Sequence, residues 1–206
     1  MITLGRQPAF ATAIAKSIFD TLFIGKQIIG CLVFINSLWF NIQLYSSVKM
    51  KNKFDIDEVK QFIRNSSPST SIYIGADSER YRGRDDLWYA DYTVAIVIHM
   101  DSSRGCKVFG QVDTERDFDK RHDRPAYRLM NEVYRASQMY MDLFEAIGDR
   151  HVEVHLDINP DEMHGSSCVI QQATGYIRGM CGFAPKVKPE AFAASYAADR
   201  LKEIIS

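Results

Sequence analysis

The sequence lacks the cysteine pattern of a secreted or zinc-ribbon protein. Its 206 residues include four cysteines, Cys31, Cys106, Cys168 and Cys181, and no two of them form a C-x-x-C pair. The cysteines therefore indicate neither a disulfide-rich scaffold nor a structural zinc site. They favour a reducing, cytoplasmic location.

An excess of charge of one sign is also missing. The chain carries 25 basic and 26 acidic residues, which gives a formal net charge of −1. Such a balance does not by itself indicate a nucleic-acid coat protein, so any nucleic-acid site must be local. Glycine-rich phosphate loops are absent too, since neither G-x-G-x-x-G nor the P-loop pattern occurs. The sequence therefore predicts no nucleotide cofactor.

Long apolar runs are absent even from the most hydrophobic segment, residues 1–49. The longest clean run, residues 28–35, is much shorter than the roughly 20 residues that a membrane-spanning helix needs. We interpret residues 1–49 as an apolar N-terminal extension outside the fold, with Met50 as the natural start of the protein. A peripheral or membrane-inserted helix is the alternative, and membrane contact is expected only through this extension.

Residues 50–206 have the pattern of one α/β domain. Asp55 is expected to cap a short helix, and the β-rich runs 71–76, 88–100 and 106–112 predict an antiparallel meander. A long helix is predicted over 125–147, where apolar residues recur at helical spacing and Gly148 follows. The later elements are a strand at 152–158, a helix at 166–180, a short strand at 185–188 and a helix at 191–205. The predicted order is βββαβαβα, with five strands in one mixed sheet.

Four acidic residues stand where folding would bury or crowd a carboxylate. Asp77 and Asp157 end predicted strands, Glu132 borders the apolar stripe of the long helix, and Asp199 follows an alanine-rich helical stretch. A buried carboxylate is costly unless a cation or hydrogen-bond donors compensate it. If the fold gathers the four, they suit Mg²⁺ or Mn²⁺, and two such ions can promote phosphodiester hydrolysis. Taken singly, each acid can equally be a solvated or capping carboxylate.

The order of these elements and acids resembles the ribonuclease H fold. More narrowly, the stretches 74–78, 155–160, 175–180 and 187–189 resemble the YkuK-like branch of the ribonuclease H-like superfamily, over about residues 71 to 202. The resemblance implies an α/β fold with a mixed sheet flanked by helices. It also implies that Asp77, Glu132, Asp157 and Asp199 take the catalytic and metal-ligand positions for two ions, with Asp199 the more loosely bound ligand.

Several further residues are candidates for supporting roles. Ser78 is expected to form a hydrogen bond at its strand end, His155 shares a strand face with Asp157, and His164 could carry a proton from the following loop. The basic residues predicted to contact nucleic acid are Arg80, Arg82, Arg124, Arg128, Lys186 and Lys188. Acids lie among these bases, so a mixed, solvated charged surface is the alternative.

Two functional hypotheses follow from these patterns. The first is divalent-metal-dependent hydrolysis of phosphodiester bonds in RNA, RNA–DNA hybrid or structured DNA. The second is a non-catalytic ribonuclease H-like module that binds nucleic acid or a protein partner. The first predicts a nucleic-acid substrate, and the second predicts a nucleic-acid or protein partner.

Overall fold

A computed structural model describes residues 54–102, 104–120 and 122–205, with side chains as far as Leu201. The predicted N-terminal extension, residues 1–49, lies outside the described residues. Within the described part of the chain, no helix has both the length and the apolar character needed to cross a bilayer.

The described part of the chain contains four α-helices and four strands, which follow the predicted order except that the predicted fifth strand is not formed. The elements are α1 (Ile56–Asn65), β1 (Ser71–Arg82), β2 (Trp88–His99), β3 (Cys106–Arg116), α2 (Ala126–Ile147), β4 (His151–Leu156), α3 (Ile170–Cys181) and α4 (Ala198–Ile205). Short helical segments of other types precede the last two helices: a 3₁₀-helix at Gly165–Val169 and a π-helix at Ala193–Ala197. The predicted α/β class is confirmed.

The strands form one mixed sheet in the order β3-β2-β1-β4. β1 pairs antiparallel with β2, and β2 antiparallel with β3, as the predicted meander requires. β4 pairs parallel with β1, so that Ser71 lies opposite His151 and Ala76 opposite Leu156. The long helix α2 connects β3 to this parallel strand and covers the sheet.

The predicted count of five strands is not confirmed. Residues 185–188 contribute one parallel bridge, in which the Lys186 N–H donates to the Val154 carbonyl at 2.8 Å and the Leu156 N–H donates to the Lys186 carbonyl at 2.9 Å. Pro185 and Pro189 flank this bridge. The Lys188 N–H donates to the Ile158 carbonyl at 3.1 Å, so this segment runs beside β4 and the residues after it without forming a regular strand.

β1 is twice as long as its β-rich run suggested. The predicted strand stopped at Ala76, whereas the pairing with β2 continues from Asp77 opposite Thr93 to Arg82 opposite Trp88. Asp77 therefore lies in the middle of β1, at the point where the shorter neighbour β4 ends. The polar residues beyond Asp77 carry little β-propensity, and their pairing with the aromatic start of β2 extends the strand.

One face of the sheet, here called the α2 face, carries the main hydrophobic core. Alternate side chains of a strand point to the same face, so the even-numbered residues of β1 and β4 pack together against α1, α2 and α3. The sheet residues in this core are Ile72, Ile74, Ala76, Val94, Ile96, Ile98, Phe109, Val154 and Leu156. The apolar stripe of α2 packs on them through Leu129, Val133, Ala136, Tyr140, Leu143 and Ile147.

The opposite face, here called the α4 face, is covered by the π-helix and α4. A Cβ atom at Gly75 would overlap the backbone of Ala193 and Ala194, and one at Gly110 would overlap the side chain of Leu201. The alanines of this helical segment are buried. Small residues on both sides therefore let the helical backbone lie almost directly on the sheet.

Candidate carboxylate site

Asp77 and Asp157 are brought side by side by the parallel pairing of β1 and β4. The register places Ala76 opposite Leu156, and the two aspartates are the next residues on the two adjacent chains. Adjacent strands lie about 4.8 Å apart, and both residues have the parity of the α4 face. Each is partly buried. The parallel pairing therefore makes the two carboxylates neighbours, although Asp77 does not end its strand as predicted.

Glu132 approaches the same edge of the sheet from the α2 face. It lies in the second turn of α2 and is 2% exposed, and its Oε1 accepts a hydrogen bond from the Ser78 hydroxyl at 2.5 Å. Burial raises the pKa of Glu132 well above its ordinary value, and the negative charges of Asp77 and Asp157 raise it further. The three carboxylates therefore share one electrostatic environment.

Arg128 compensates part of this negative charge on the α2 face. One turn before Glu132, its Nη1 donates to the carbonyl and the hydroxyl oxygens of Ser78 at 2.8 and 2.7 Å. The same nitrogen lies 3.9 Å from Oε1 of Glu132, and this positive charge lowers the pKa of the carboxyl against the effect of burial. Ser78 thus links the arginine to the glutamate.

Asp157 has its own pair of partners on the α4 face. Its Oδ1 accepts a hydrogen bond from the Ser195 hydroxyl at 2.5 Å, and its Oδ2 forms an ion pair with Nζ of Lys188 at 2.9 Å. Sequence reasoning did not select Ser195. The available signal was its position four residues before Asp199, in the alanine-rich segment expected to approach the sheet.

Asp199 lies on α4, directly after the π-helix. It lies in the first turn of α4, four residues after Ser195, and is exposed. The structure thus gathers Asp77, Glu132 and Asp157, and places Asp199 about one helical turn from the serine that contacts Asp157. A ligand role for Asp199 stays a prediction.

The carboxylates of this site are of the type that binds a hard cation, but their described positions do not form a metal site. Carboxylate oxygens are the ligands that Mg²⁺ and Mn²⁺ prefer, and three neighbouring carboxylates need positive charge nearby. Among the described residues, however, no three acidic, histidine or cysteine side chains converge with metal-binding geometry. Arg128 and Lys188 supply the compensating charge instead. Metal binding would therefore require these side chains to rearrange.

His155 connects the sheet to the π-helix behind Asp157. The ring is fully buried, its Nδ1 accepts a hydrogen bond from the Ala193 N–H at 3.0 Å, and its Nε2 lies 3.0 Å from Oε2 of Glu153. Because Nδ1 is the acceptor, the neutral ring carries its proton on Nε2 and donates it to Glu153. Burial lowers the pKa of His155, and the bond to Glu153 opposes that effect. His155 therefore anchors the helical segment that carries Ser195.

His164 lies in the loop that follows Asp157. It is exposed and stands at the N-terminal end of the 3₁₀-helix. This position keeps the ring in solvent near the end of the sheet where the acids meet. A proton-carrying role for His164 stays a prediction.

Arg80 is held within the protein. Its Nε forms an ion pair with the buried Asp117 at 2.6 Å, and its guanidinium group lies 4.2 Å from the ring centroid of Trp88. The side chain is 11% exposed. With Arg128 and Lys188, it belongs to the predicted nucleic-acid residues whose charge is engaged by internal carboxylates.

The other predicted nucleic-acid residues are more accessible. Arg82 pairs with Asp86 at 3.3 Å and Lys186 with Glu190 at 2.9 Å, both at the surface. Arg124 is exposed in the loop before α2. Exposed ion pairs contribute little stability, so these cations can exchange partners readily. Nucleic-acid contact through them stays a prediction.

Comparison with known proteins agrees with this architecture. The sequence profile of the ribonuclease H-like family matches residues 55–203, which is most of the chain. The chain belongs to the ribonuclease H-like family. No curated protein matches it, and no solved structure does. Membership of the ribonuclease H-like family supports a nuclease-type or nucleic-acid-binding domain, and the narrower YkuK-like assignment stays a prediction.

Proposed function

We propose that this ribonuclease H-like domain hydrolyses phosphodiester bonds of RNA, RNA–DNA hybrid or structured DNA with the help of Mg²⁺ or Mn²⁺. The observation that carries the proposal is that Asp77 and Asp157 lie close enough to the buried Glu132 for their negative charges to add to the effect of burial in raising its pKa. Perturbed carboxylates that cluster in this way are typical of catalytic sites.

The chain's own residues have separable roles in this proposal. Asp77, Glu132 and Asp157, with Asp199 from α4, would hold two divalent ions. Bound ions of this kind supply an activated water and stabilise the departing oxygen of the phosphodiester. The roles of these four acids as ligands follow from their chemistry and from family membership.

Hydroxyl groups orient two of the proposed ligands. Ser78 donates to Glu132 and Ser195 donates to Asp157, each at 2.5 Å, so that one oxygen of each carboxylate is fixed in position. Partners of this kind behind a metal ligand commonly contribute 10- to 100-fold to metal affinity or activity. Lys188 reaches Asp157 from the surface and is partly exposed, which places its ammonium group where a substrate phosphate can bind.

A cleavage assay with the full chain tests the proposal. Labelled single-stranded RNA, RNA–DNA hybrid, single-stranded DNA and branched DNA are incubated with Mg²⁺, Mn²⁺ or a chelator. We expect metal-dependent cleavage of at least one substrate, and a loss of about 100-fold or more in Asp157→Asn and Glu132→Gln, because the lost charges act directly at the reacting centre.

Glu58→Gln is the matched control, since it neutralises an exposed glutamate on α1. This variant should cleave as the wild type does. Absence of cleavage on every substrate, or equal activity in all variants, would contradict the proposal. Nucleic-acid binding without cleavage would favour the non-catalytic alternative.

A further inference from the structure

Two exposed aromatic side chains contact each other, one in the loop between β3 and α2 and the other in the first turn of α2. Phe118 is 60% exposed and Tyr127 is 45% exposed, and their ring centroids lie 5.9 Å apart in a perpendicular arrangement. The guanidinium group of Arg116 lies 5.4 Å from the centroid of the Phe118 ring. Hydrophobic stabilisation scales with the area removed from water, so the fold gains little from a phenylalanine in this position.

The loop holds this exposed phenylalanine in place by contacts on both sides. Asp117 is buried and pairs with Arg80 at 2.6 Å. The carboxylate of Asp119 accepts hydrogen bonds from two first-turn N–H groups of α2 at 2.9 and 2.8 Å, and its carbonyl accepts from Arg80 at 3.1 Å. Phe118 thus stands between two anchored residues. A rigid surface of this kind loses little conformational entropy when a ligand binds.

Three exposed bases and two exposed acids, Glu115 and Asp123, lie around the aromatic pair. Arg116, Lys120 and Arg124 are exposed in and beside the loop. The acidic side chains of the same stretch have partners within the protein: Glu115 pairs with Arg135, Asp117 with Arg80, Asp119 with α2, and Asp123 has a further contact. Three exposed cations beside two exposed aromatic rings are complementary to a polyanion that also carries flat apolar groups.

Tyr127 of the aromatic pair lies on the same helix as Glu132. Tyr127 directly precedes Arg128 and lies five residues before Glu132, about 7.5 Å along the helix axis. This rise corresponds to about two steps between stacked bases. A Cβ atom at Gly165 would overlap the carbonyl of Asp123, so the loop also packs against the segment that follows Asp157.

We propose that Phe118 and Tyr127, with Arg116, Lys120 and Arg124, form a platform that stacks unpaired bases of single-stranded nucleic acid beside the carboxylate site. Aromatic rings stack on bases of any sequence, and cations hold the backbone. The bases of a duplex are already covered by their neighbours, so the platform discriminates in favour of single strands. The proposal rests on the proposed function for the identity of the strand as substrate, whereas binding itself needs no cleavage.

Fluorescence anisotropy with the full chain in the presence of a chelator tests the platform without cleavage. The probes are labelled single-stranded RNA and DNA and the corresponding duplexes. We expect the wild type to bind the single strands more tightly than the duplexes. Phe118→Ala and Tyr127→Ala should each weaken single-strand binding by about tenfold, and Phe118→Trp should retain it, because each stacked base contributes a loss of that order when its ring is removed.

Two variants distinguish base stacking from nonspecific hydrophobic binding. Phe144→Ala removes a phenylalanine that is 56% exposed near the other end of α2, and it should bind as the wild type does. Phe118→Leu keeps an apolar side chain but removes the ring, so it should bind as weakly as Phe118→Ala. Circular dichroism on each variant establishes that it is folded.

The outcomes distinguish this proposal from the proposed function. Equal affinity for single strands and duplexes, no binding of either, or wild-type affinity in Phe118→Leu or Phe118→Ala would overturn the platform. Tight single-strand binding without any cleavage would support the platform and contradict the nuclease. Lost cleavage in Asp157→Asn with unchanged single-strand binding supports both.

Discussion

The two faces of the sheet differ in how closely the helices that cover them approach the strands. The α2 face is filled by large branched residues such as Ile74, Ile96 and Leu156, which are almost fully buried. The α4 face instead has Gly75 and Gly110 beneath a helical segment of buried alanines. Large buried side chains stabilise the folded state through the area that they remove from water. Small ones contribute less area but let two backbones approach closely.

This difference suggests that the two faces have different roles, one in the stability of the domain and the other in the positions of the proposed ligands. The proposed ligands come from both faces, since Glu132 lies on α2 whereas Asp77 and Asp157 point toward the π-helix. The α2 face should therefore determine how stable the domain is, and the α4 face how accurately the aspartates are placed. The predictions below test this division, beginning with the largest effect.

Leu143→Ala should destabilise the domain strongly without altering the site. Leu143 is completely buried in the core of the α2 face, and such truncations cost about 2 to 5 kcal/mol. Urea denaturation should show this loss, while cleavage at a temperature where the variant stays folded should match the wild type. A stability change below about 1 kcal/mol, or a specific loss of activity, would break the comparison.

Gly75→Ala should cost less stability but more activity. The added methyl group meets backbone atoms of Ala193 and Ala194, which cannot turn aside, so the helical segment must shift at a cost of about 1 to 3 kcal/mol. Ser195 moves with it and loses its contact with Asp157. Urea denaturation and the cleavage assay together measure the two effects.

Gly175→Ala is the matched control for this variant. It adds the same methyl group within α3, where nothing lies within 4 Å of the new atom. Alanine is favoured over glycine in a helix by about 0.5 to 1 kcal/mol, so this variant should be slightly more stable than the wild type. If Gly75→Ala also leaves the domain as stable as the wild type or more so, the helical segment does not lie as close to the sheet at Gly75 as described.

Ser195→Ala should affect the site with little effect on stability. It removes one hydrogen bond to Asp157, and a typical bond contributes about 1 kcal/mol to the free energy of unfolding. We expect the Mn²⁺ concentration needed for half-maximal cleavage to rise about tenfold, because the carboxylate is no longer oriented. Ser167→Ala, which removes a hydroxyl bonded to the His164 carbonyl, should leave that concentration unchanged.

The smallest effect concerns His99, which is buried on the α4 face. Burial lowers the pKa of His99 below its ordinary value of 6.5. The unfolded chain therefore takes up this proton at higher pH than the folded protein does, and the free energy of unfolding should fall as the pH falls below about 6.5. His99→Gln should reduce this slope in denaturation series between pH 7 and 5, whereas His164→Gln, at an exposed position, should keep it.

The sequence predicted those parts of the fold that depend on local patterns. The apolar stripe of α2 has a period that only a helix satisfies, and Asp55 caps α1 as expected, accepting from the Asp57 N–H at 2.9 Å. The length of β1 was not predictable, because residues 77–82 are held in a strand by their partners on β2 and not by their own propensity. The single bridge at Lys186 was likewise not predictable, because it depends on how residues 185–188 lie against β4 in the folded chain.

The candidate site was predictable in outline only. The strand positions of Asp77 and Asp157, and the helical angle of Glu132, predicted that these acids would lie near one another, and their roles as ligands stay a prediction. The pairing of Asp157 with Ser195 and of Glu132 with Ser78 was not predictable, because these partners are 38 and 54 residues apart and meet only through the register of the folded sheet. The engagement of Arg80 by Asp117 depends on the same long-range packing.

The π-helix at Ala193–Ala197 sets the rotational phase of everything that follows it. A π-helix differs from an α-helix by about one additional residue in the turn, and one residue corresponds to about 100° of rotation. Deleting a single alanine here would therefore turn Asp199 and Leu201 away from their present directions, even if every remaining side chain were unchanged. In this segment the number of residues is constrained as tightly as their identity.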